Sequence, residues 1–315
     1  MKRAAIENFA GIGNRLEVLV LARLLQEAYG GEILLDWPEL DAFEVPFARR
    51  GKLSWLQRLR SRRVRRCDEA EFAALRNERW LLLRSLVGPE SRMRENYLQI
   101  AGELRLRHDL LRVIEQVFAP VGSRPLVGVH VRRGDFVGDP AHYTTRNSGP
   151  SPCLPLDWLA AALRRCCEFW PNCAFFLASS GPTGELAPLR RDFDFVQLPL
   201  RNPYALSDQG HLAEGHPVAD LFALACCEVI IATPLSSFSH FAANALGPAT
   251  ICMVPPQEMH APETPLCRLS LRGQPLAAWT RAFRGHEKFA ALAAGIAREF
   301  PCPRAHTDWI SAFGG

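Results

Sequence analysis

The sequence predicts an α/β protein of two halves, each a largely parallel sheet flanked by helices, facing each other across a central cleft. Three observations carry this expectation. From Leu126 onward, short apolar runs alternate with helical stretches, the pattern of a sheet covered on both faces. The N-terminal end begins the same way, with a glycine-rich turn, a long helix and a strand. A stretch rich in Pro and Gly, APVGSRP at 119–125, separates the two halves, and 315 residues suit two units of roughly 100–200 residues each. The division is expected at 122/123, giving an N-terminal unit of 1–122 and a C-terminal unit of 123–315.

Taken in order, a helix is expected over Asn14–Tyr29, stopped by Gly30 and Gly31, then a strand over Glu32–Trp37. Residues 49–66, RRGKLSWLQRLRSRRVRR, contain nine Arg or Lys, which ordinarily marks a solvated basic helix face. A helix is expected within Arg92–Phe118. In the second half the expected strands are Leu126–Val131, Ala174–Ala178, Phe193–Leu198, Val229–Ala232 and Thr250–Val254. The helices between them are Asp157–Phe169, Gly184–Arg191, Val218–Cys227 and Ser236–Leu246, with a last one over Glu287–Phe300. Open parallel sheets bind ligands outside the C-terminal ends of their strands, so those ends are the places to look for function.

Composition narrows the field. Hydrophobic residues make up 48% and charged residues 22%, ordinary for a globular chain with a sizeable core. A net charge of +4 is too small to imply a nucleic-acid partner. No apolar run reaches the ~20 residues that span a bilayer, and the N-terminus does not read as a signal peptide. The ten cysteines include two adjacent pairs, Cys166-Cys167 and Cys226-Cys227, in helical apolar segments; they read as reduced thiols of a cytoplasmic protein. No zinc-ligand spacing occurs, and no metal ligand set is expected: Asp192 and Asp194 form an isolated Asp-x-Asp, and His211, Glu214 and His216 match no familiar site.

Three segments carry candidate chemistry. His130-Val131-Arg132-Arg133-Gly134-Asp135 ends a buried strand. Alternation along a strand points His130 and Arg132 one way and Arg133 the other. An arginine at a strand end suits a diphosphate, because its planar fork bonds two oxygens and keeps its charge. An Arg–Asp pair that merely closes a loop would use the same residue types. Gly11-Ile12-Gly13-Asn14 precedes a helix whose N-terminus presents free N–H groups to an anion, although an Asn14 cap explains the residue types as well. Leu16 stands where a dinucleotide fingerprint needs glycine. Asp220 opens the third segment, which runs through a strand to Ser236-Ser237-Phe238, a helix start that could be a phosphate site or a plain serine cap.

Together and in this order, GIGN (11–14), HVRRGD (130–135) and DLFALACCEVIIATPLSSFS (220–239) resemble the superfamily of α1,2-, α1,6- and protein O-fucosyltransferases. LPLDWLAAAL (154–163) is also similar to a family helix that often carries an aromatic at the position of Trp158. The resemblance covers the C-terminal half and roughly the first forty residues.

It implies a GT-B-type fold of two Rossmann-like domains and an inverting, metal-independent transfer of fucose from GDP-fucose to a hydroxyl of a glycan or peptide. By the same resemblance Arg132 meets the β-phosphate, with His130 supporting it and Asp135 holding the loop or the nucleotide. Asp220 reads the guanine or ribose, and Ser236, Ser237 and Phe238 cradle the pyrophosphate and pack on the nucleotide. Gly11, Gly13 and Asn14 face the reacting centre from the other unit. Some relatives carry a glutamate five residues after the Asp of the central motif, where this chain has Pro140. Asp139 is then the candidate base and His142 the second choice; a turn cap is the plainer role for Asp139. A different GDP-sugar, or a non-catalytic nucleotide-sugar-binding protein, are the competing readings, and Pro140 favours the latter. The acceptor side falls to residues 40–120, and Trp55 with the arginines of the basic 49–66 segment could bind an acidic glycan, a nucleic acid or a lipid surface, the last as weak contact of a protein peripheral to the membrane and otherwise cytoplasmic.

Overall fold

The computed structural model describes residues 2–85, 88–89, 93, 100–133, 153–181, 184–204, 213–227, 229–233, 236–246, 251–254 and 268–270. In the first part of the chain these form β1 (Arg3–Glu7), α1 (Ile12–Tyr29), β2 (Glu32–Asp36), β3 (Phe43–Glu44), β4 (Arg49–Arg50), α2 (Trp55–Leu59), β5 (Arg62–Val64), α3 (Glu69–Ala74), β6 (Trp80–Leu83), β7 (Arg105–Leu106) and α4 (His108–Phe118). In the second they form β8 (Leu126–Arg132), α5 (Leu156–Phe169), β9 (Ala174–Ser180), α6 (Ala187–Asp192), β10 (Phe195–Val196), α7 (Pro217–Ala225), β11 (Val229–Ile231), α8 (Ser237–Phe241), β12 (Ile251–Val254) and β13 (Arg268–Ser270).

The expected α/β class with parallel sheets is what the structure shows. One sheet has the order β4-β2-β1-β6-β5 and is parallel throughout. The other has the order β10-β9-β8-β11-β12-β13 and is parallel except for β13. The longest pairing joins β8 to β9 from Leu126↔Ala174 to Arg132↔Ser180 and carries both strands to the same end. Val127, Val129 and Val131 pack with α5 through Trp158, Leu159 and Leu163. On the opposite face Leu126 joins α7. A strand buried on both sides reads as a continuous apolar run, which is why LVGVHV was legible. At Gly128 an added Cβ would lie 2.9 Å from Leu224 Cδ2 and 3.1 Å from Cys227 Sγ, so the bare backbone lets α7 sit close against the sheet.

The largest hydrophobic cluster is shared by both sheets. It joins Ile6, Leu35 and Leu81 of the first to Phe176 and Ile230 of the second and to Phe241 of α8, with α1 between them. From Ile12 to Leu25, α1 buries most of its residues and packs along α8. His240 of α8 and Glu17 of α1, both buried, meet at 3.3 Å across this seam.

Several boundaries differ from expectation for identifiable reasons. The helix α1 begins at Ile12, with Gly11 rather than Asn14 at the cap and no side-chain cap bond. Helix is interrupted between 103 and 108, because Leu106 pairs with Phe43 and the Arg107 N–H donates to the Ala42 carbonyl; the local helical signal yields to a long-range ladder. The basic 49–66 segment is not one helix. Its ends are strands, with Arg49 and Arg50 on the sheet edge beside Leu34 and Leu35, and Val64 buried. After α8 the chain continues as a π-helical stretch over Ala242–Leu246. The helix expected over 287–300 lies outside the described residues. Among the described residues no helix is long and apolar enough to cross a membrane.

Candidate active site

The two sheets bring the predicted segments together at the C-terminal ends of their strands, where they line an open cleft. One wall follows β1: Asn8, Ala10, Gly11 and Gly13. The opposite wall is made by His130 and Arg132 from the end of β8, Ser179 and Ser180 from the end of β9, Asp220 from α7, and Ser237 and Phe238 from the start of α8.

The N-terminus of α1 opens into this space. Its first turn holds no acidic residue, and no side chain caps it. The free N–H groups and the positive end of an eighteen-residue helix dipole therefore favour an anion there. Gly13 has a further task. A Cβ at this position would lie 2.7 Å from the Phe238 backbone N and 2.8 Å from the Ser237 carbonyl carbon, so only glycine lets the two walls close on each other. Ala10, at φ 50°, holds a left-handed conformation that costs an alanine stability and turns the chain into the helix.

On the other wall the strand alternation is realised. His130 and Arg132 line the cleft, whereas Arg133 turns away, donating to the Leu154 carbonyl at 3.0 Å and pairing with Glu185 at 3.3 Å. His130 is buried; its ring stacks on Phe238 with centroids 4.9 Å apart, and Nδ1 lies 3.2 Å from Ser239 Oγ. Burial, helped by the charge of Arg132, depresses its pKa to about 3, so the ring is neutral at physiological pH. The Thr233 hydroxyl accepts from the Arg132 backbone N–H at 2.9 Å and donates to the His130 carbonyl at 2.8 Å, pinning the strand end that aims both side chains.

Asp220 is buried on α7, and burial pushes its carboxyl up to about 8. An added Cβ on Gly215 would fall 2.4 Å from Asp220 Oδ2, so the carboxyl lies directly over that backbone. At neutral pH it is mostly protonated and can donate as well as accept. Ser236 caps α8 by position but makes no side-chain cap bond; its Oγ is buried with no partner among the described residues. Ser236 and Asn14 are not among the cleft-lining residues, and Asn14 is half-buried one residue beyond Gly13. Asp135, Asp139, Pro140 and His142 lie outside the described residues.

Sequence reasoning missed Glu39, Asn202 and Tyr204 and gave no role to Arg15, the residue that follows Gly11–Asn14; all four also line the cleft. Arg15 Nη1 donates to Glu39 Oε2 at 2.7 Å, Nη2 bonds Oε1, and the guanidinium lies 5.4 Å from the Trp37 ring centroid. The only local signal was an arginine directly after GIGN, on a helix face otherwise apolar. The Asp-x-Asp pair sits elsewhere: Asp194 accepts from Arg124 at 2.6 Å at the start of β10. Among the described residues no group of three or more His, Cys, Asp or Glu is placed to hold a metal ion.

No family model matches the chain, and no curated protein matches it in sequence. Solved structures do match its fold. Arabidopsis thaliana FUT1, as a mutant in complex with GDP, aligns with a TM-score of 0.55 at 12% identity, over 87% of this chain and 75% of that one. The fucosyltransferase NodZ from Bradyrhizobium aligns with a TM-score of 0.50 at 15% identity, over 87% and 100%. NodZ α-1,6-fucosyltransferase soaked with GDP-fucose gives the same score and coverage at 14% identity. POFUT1 in its apo form aligns at 0.50 with 11% identity, over 76% and 93%. At these identities the likeness is one of architecture: the chain shares the α/β fold of these structures.

Proposed function

We propose that this chain is a glycosyltransferase that moves fucose from GDP-fucose to a hydroxyl of a glycan or peptide acceptor, by a single inverting displacement and without a metal. One observation carries the reading. Segments far apart in sequence, Gly11–Gly13, His130–Arg132, Asp220 and Ser237–Phe238, line one cleft at the strand ends of two sheets. In two of the structures with this fold the crystals held GDP or were soaked with GDP-fucose.

The residues divide the work as follows. As the bond from fucose to the diphosphate breaks, negative charge builds on the β-phosphate. Arg132 and the N–H groups at the start of α1 and around Ser237 stabilise that charge by fixed placement, which needs no reorganisation at the moment of reaction. His130, neutral and held by Phe238 and Ser239, packs behind Arg132 and excludes water. Asp220, able to donate and accept, reads the guanine or ribose, and Phe238 packs on the nucleotide. We assign Ser236 to the turn that carries Ser237, Asp135 to the loop beyond Arg132, and Asn14 to the acceptor side. The acceptor hydroxyl must give up a proton. Among the described residues the carboxyls of the cleft are Glu39, committed to Arg15, and Asp220, raised by burial, so Asp139 is kept as the base. We place the domain division at 122/123, where Gly122 turns the chain at φ 60°. The seven cysteines whose side chains are described are free thiols, which fits a cytoplasmic protein.

The test is to titrate GDP-fucose, GDP-mannose and UDP-glucose against the wild type and Arg132→Ala, with and without EDTA. Selective binding of GDP-fucose with slow GDP release, unaffected by EDTA, and a loss of about 100- to 1000-fold in rate for Arg132→Ala support the reading. Tight binding with no turnover on any acceptor would favour the non-catalytic binding protein suggested by Pro140. Preference for GDP-mannose would reassign the sugar.

A further inference from the structure

Residues 49–66 carry nine Arg or Lys and no Asp or Glu. Four of these cations are engaged: Arg49 with Glu32, Arg50 with Asp41, Arg58 with Glu7, and Arg62 with Glu71 and Glu78. The other five, Lys52, Arg60, Arg63, Arg65 and Arg66, are exposed and meet no carboxylate among the described residues.

At the centre of this basic segment stands α2, none of whose residues is buried. Trp55, Leu56 and Leu59 are 71%, 57% and 64% exposed. Trp55 and Leu59 are four residues apart, and Leu56 and Leu59 three, so the three share a helical face. The helix is held in place despite its exposure. Ser54 and Gln57 form a capping box, and Leu53 is buried against Ala5, Leu34 and Leu82 on the sheet face below. Arg58 Nε reaches Glu7 at 3.1 Å, tying the helix to the strand end that leads into Asn8 of the cleft.

We propose that α2 and its flanks dock on an anionic lipid bilayer, with Trp55, Leu56 and Leu59 entering the headgroup region and the five free cations meeting lipid phosphates. Charge selects this occupant. A second copy of the chain would bring the same cations to the same patch. Residues 271–315 carry six Arg or Lys against three Asp or Glu, so that segment is also repelled. A nucleic acid would satisfy the cations and leave three apolar side chains in water. An anionic bilayer takes both, because apolar groups and cations act together at its interface. The tie from Arg58 to Glu7 then holds the cleft beside the bilayer. This inference does not depend on the donor sugar.

The experiment is flotation of the full chain with vesicles of phosphatidylcholine and phosphatidylglycerol, or of phosphatidylcholine alone, at low and high salt. Two variants are compared with the wild type: W55S/L56S/L59S, and one with Lys52, Arg60, Arg63, Arg65 and Arg66 replaced by Gln. Expected are binding to the anionic vesicles only, a fall of about tenfold or more for each variant, and weakening as salt shortens the screening length from about 10 Å to about 3 Å. Urea unfolding and GDP binding of both variants should match the wild type. Absence of vesicle binding, equal binding to phosphatidylcholine alone, or insensitivity to either variant overturns the proposal. So does a wild-type dimer that the apolar variant turns into a monomer, or destabilisation by that variant, since either would show the face covered by protein.

Discussion

Replacing Gly13 by alanine tests the seam between the two sheets. The added methyl would sit 2.7 Å from the Phe238 N and 2.8 Å from the Ser237 carbonyl carbon and Oγ. A comfortable contact begins near 3.4 Å, so the closest atom must retreat by about 0.7 Å (3.4 less 2.7). The Ser237 hydroxyl can rotate away, but the two backbone atoms cannot. Nor can α1 slide freely, because its buried face lies in the shared core and Arg15 and Glu17 bind Glu39 and His240. Overpacking of this kind costs about 1–3 kcal/mol. The same displacement would part the start of α1 from Ser237 and Phe238, and we expect GDP to bind about tenfold more weakly, which is about 1.4 kcal/mol. Urea unfolding reads the first effect and calorimetric titration with GDP the second. Gly102→Ala is the control: no atom lies within 4 Å of its added Cβ, so it should be neutral or slightly stabilising. If Gly13→Ala unfolds within about 0.5 kcal/mol of the wild type, the close approach is not what this glycine supplies. If stability falls but GDP affinity holds, the seam is real and the cleft does not depend on it.

Asp220→Asn should alter the pH profile in a defined direction. The folded carboxyl titrates at about 8, above its unfolded value, so its contribution is complete below about 4 and is lost as pH rises through 8; the variant should keep stability over that window, read as urea midpoints at pH 5 and pH 8. If nucleotide binding requires the carboxylate, the apparent GDP-binding enthalpy near pH 7 should vary with the buffer's ionisation heat in the wild type and not in the variant. Thr233→Val leaves the Arg132 N–H and the His130 carbonyl without their shared hydroxyl and should cost about 1–3 kcal/mol on unfolding, whereas Thr233→Ser should recover most of it; equal stability of the two would remove the threonine from the positioning of Arg132. Ala10→Gly should stabilise the fold by about 1 kcal/mol in the same assay by releasing the left-handed alanine; a loss of that size would mean the methyl is packed rather than strained.

Where the chain is locally consistent, the elements were legible. Strands β8, β9 and β11 are buried on both faces, so their apolar runs stand out, and helix α5 follows its own amphipathic period. The break between 103 and 108 was not legible, because nothing near Leu106 indicates that Phe43 will pair with it. The basic segment failed for a similar reason: its ends are drawn into strands by partners at Leu34 and Leu81. Within the cleft, His130, Arg132, Asp220 and the Ser237–Phe238 pair announced themselves by residue type and order. Glu39 and Tyr204 belong to no spacing pattern and reach the cleft only through the packing of a short 3-10 turn, Pro38–Asp41, and of loops.

By itself, then, the sequence determined the class of fold, two parallel sheets with functional groups at their strand ends. Alternating apolar runs and strand-end arginines are properties of short stretches of chain. It also determined which way His130, Arg132 and Arg133 point, since alternation along a strand is local geometry. Tertiary structure alone decided that Gly13 must be bare for α1 to meet α8, that burial raises the Asp220 carboxyl and lowers the His130 imidazole, and that Arg15 is committed to Glu39. Those are consequences of distance and burial between segments as many as 225 residues apart in the chain, as Gly13 and Phe238 are, and no local pattern encodes them.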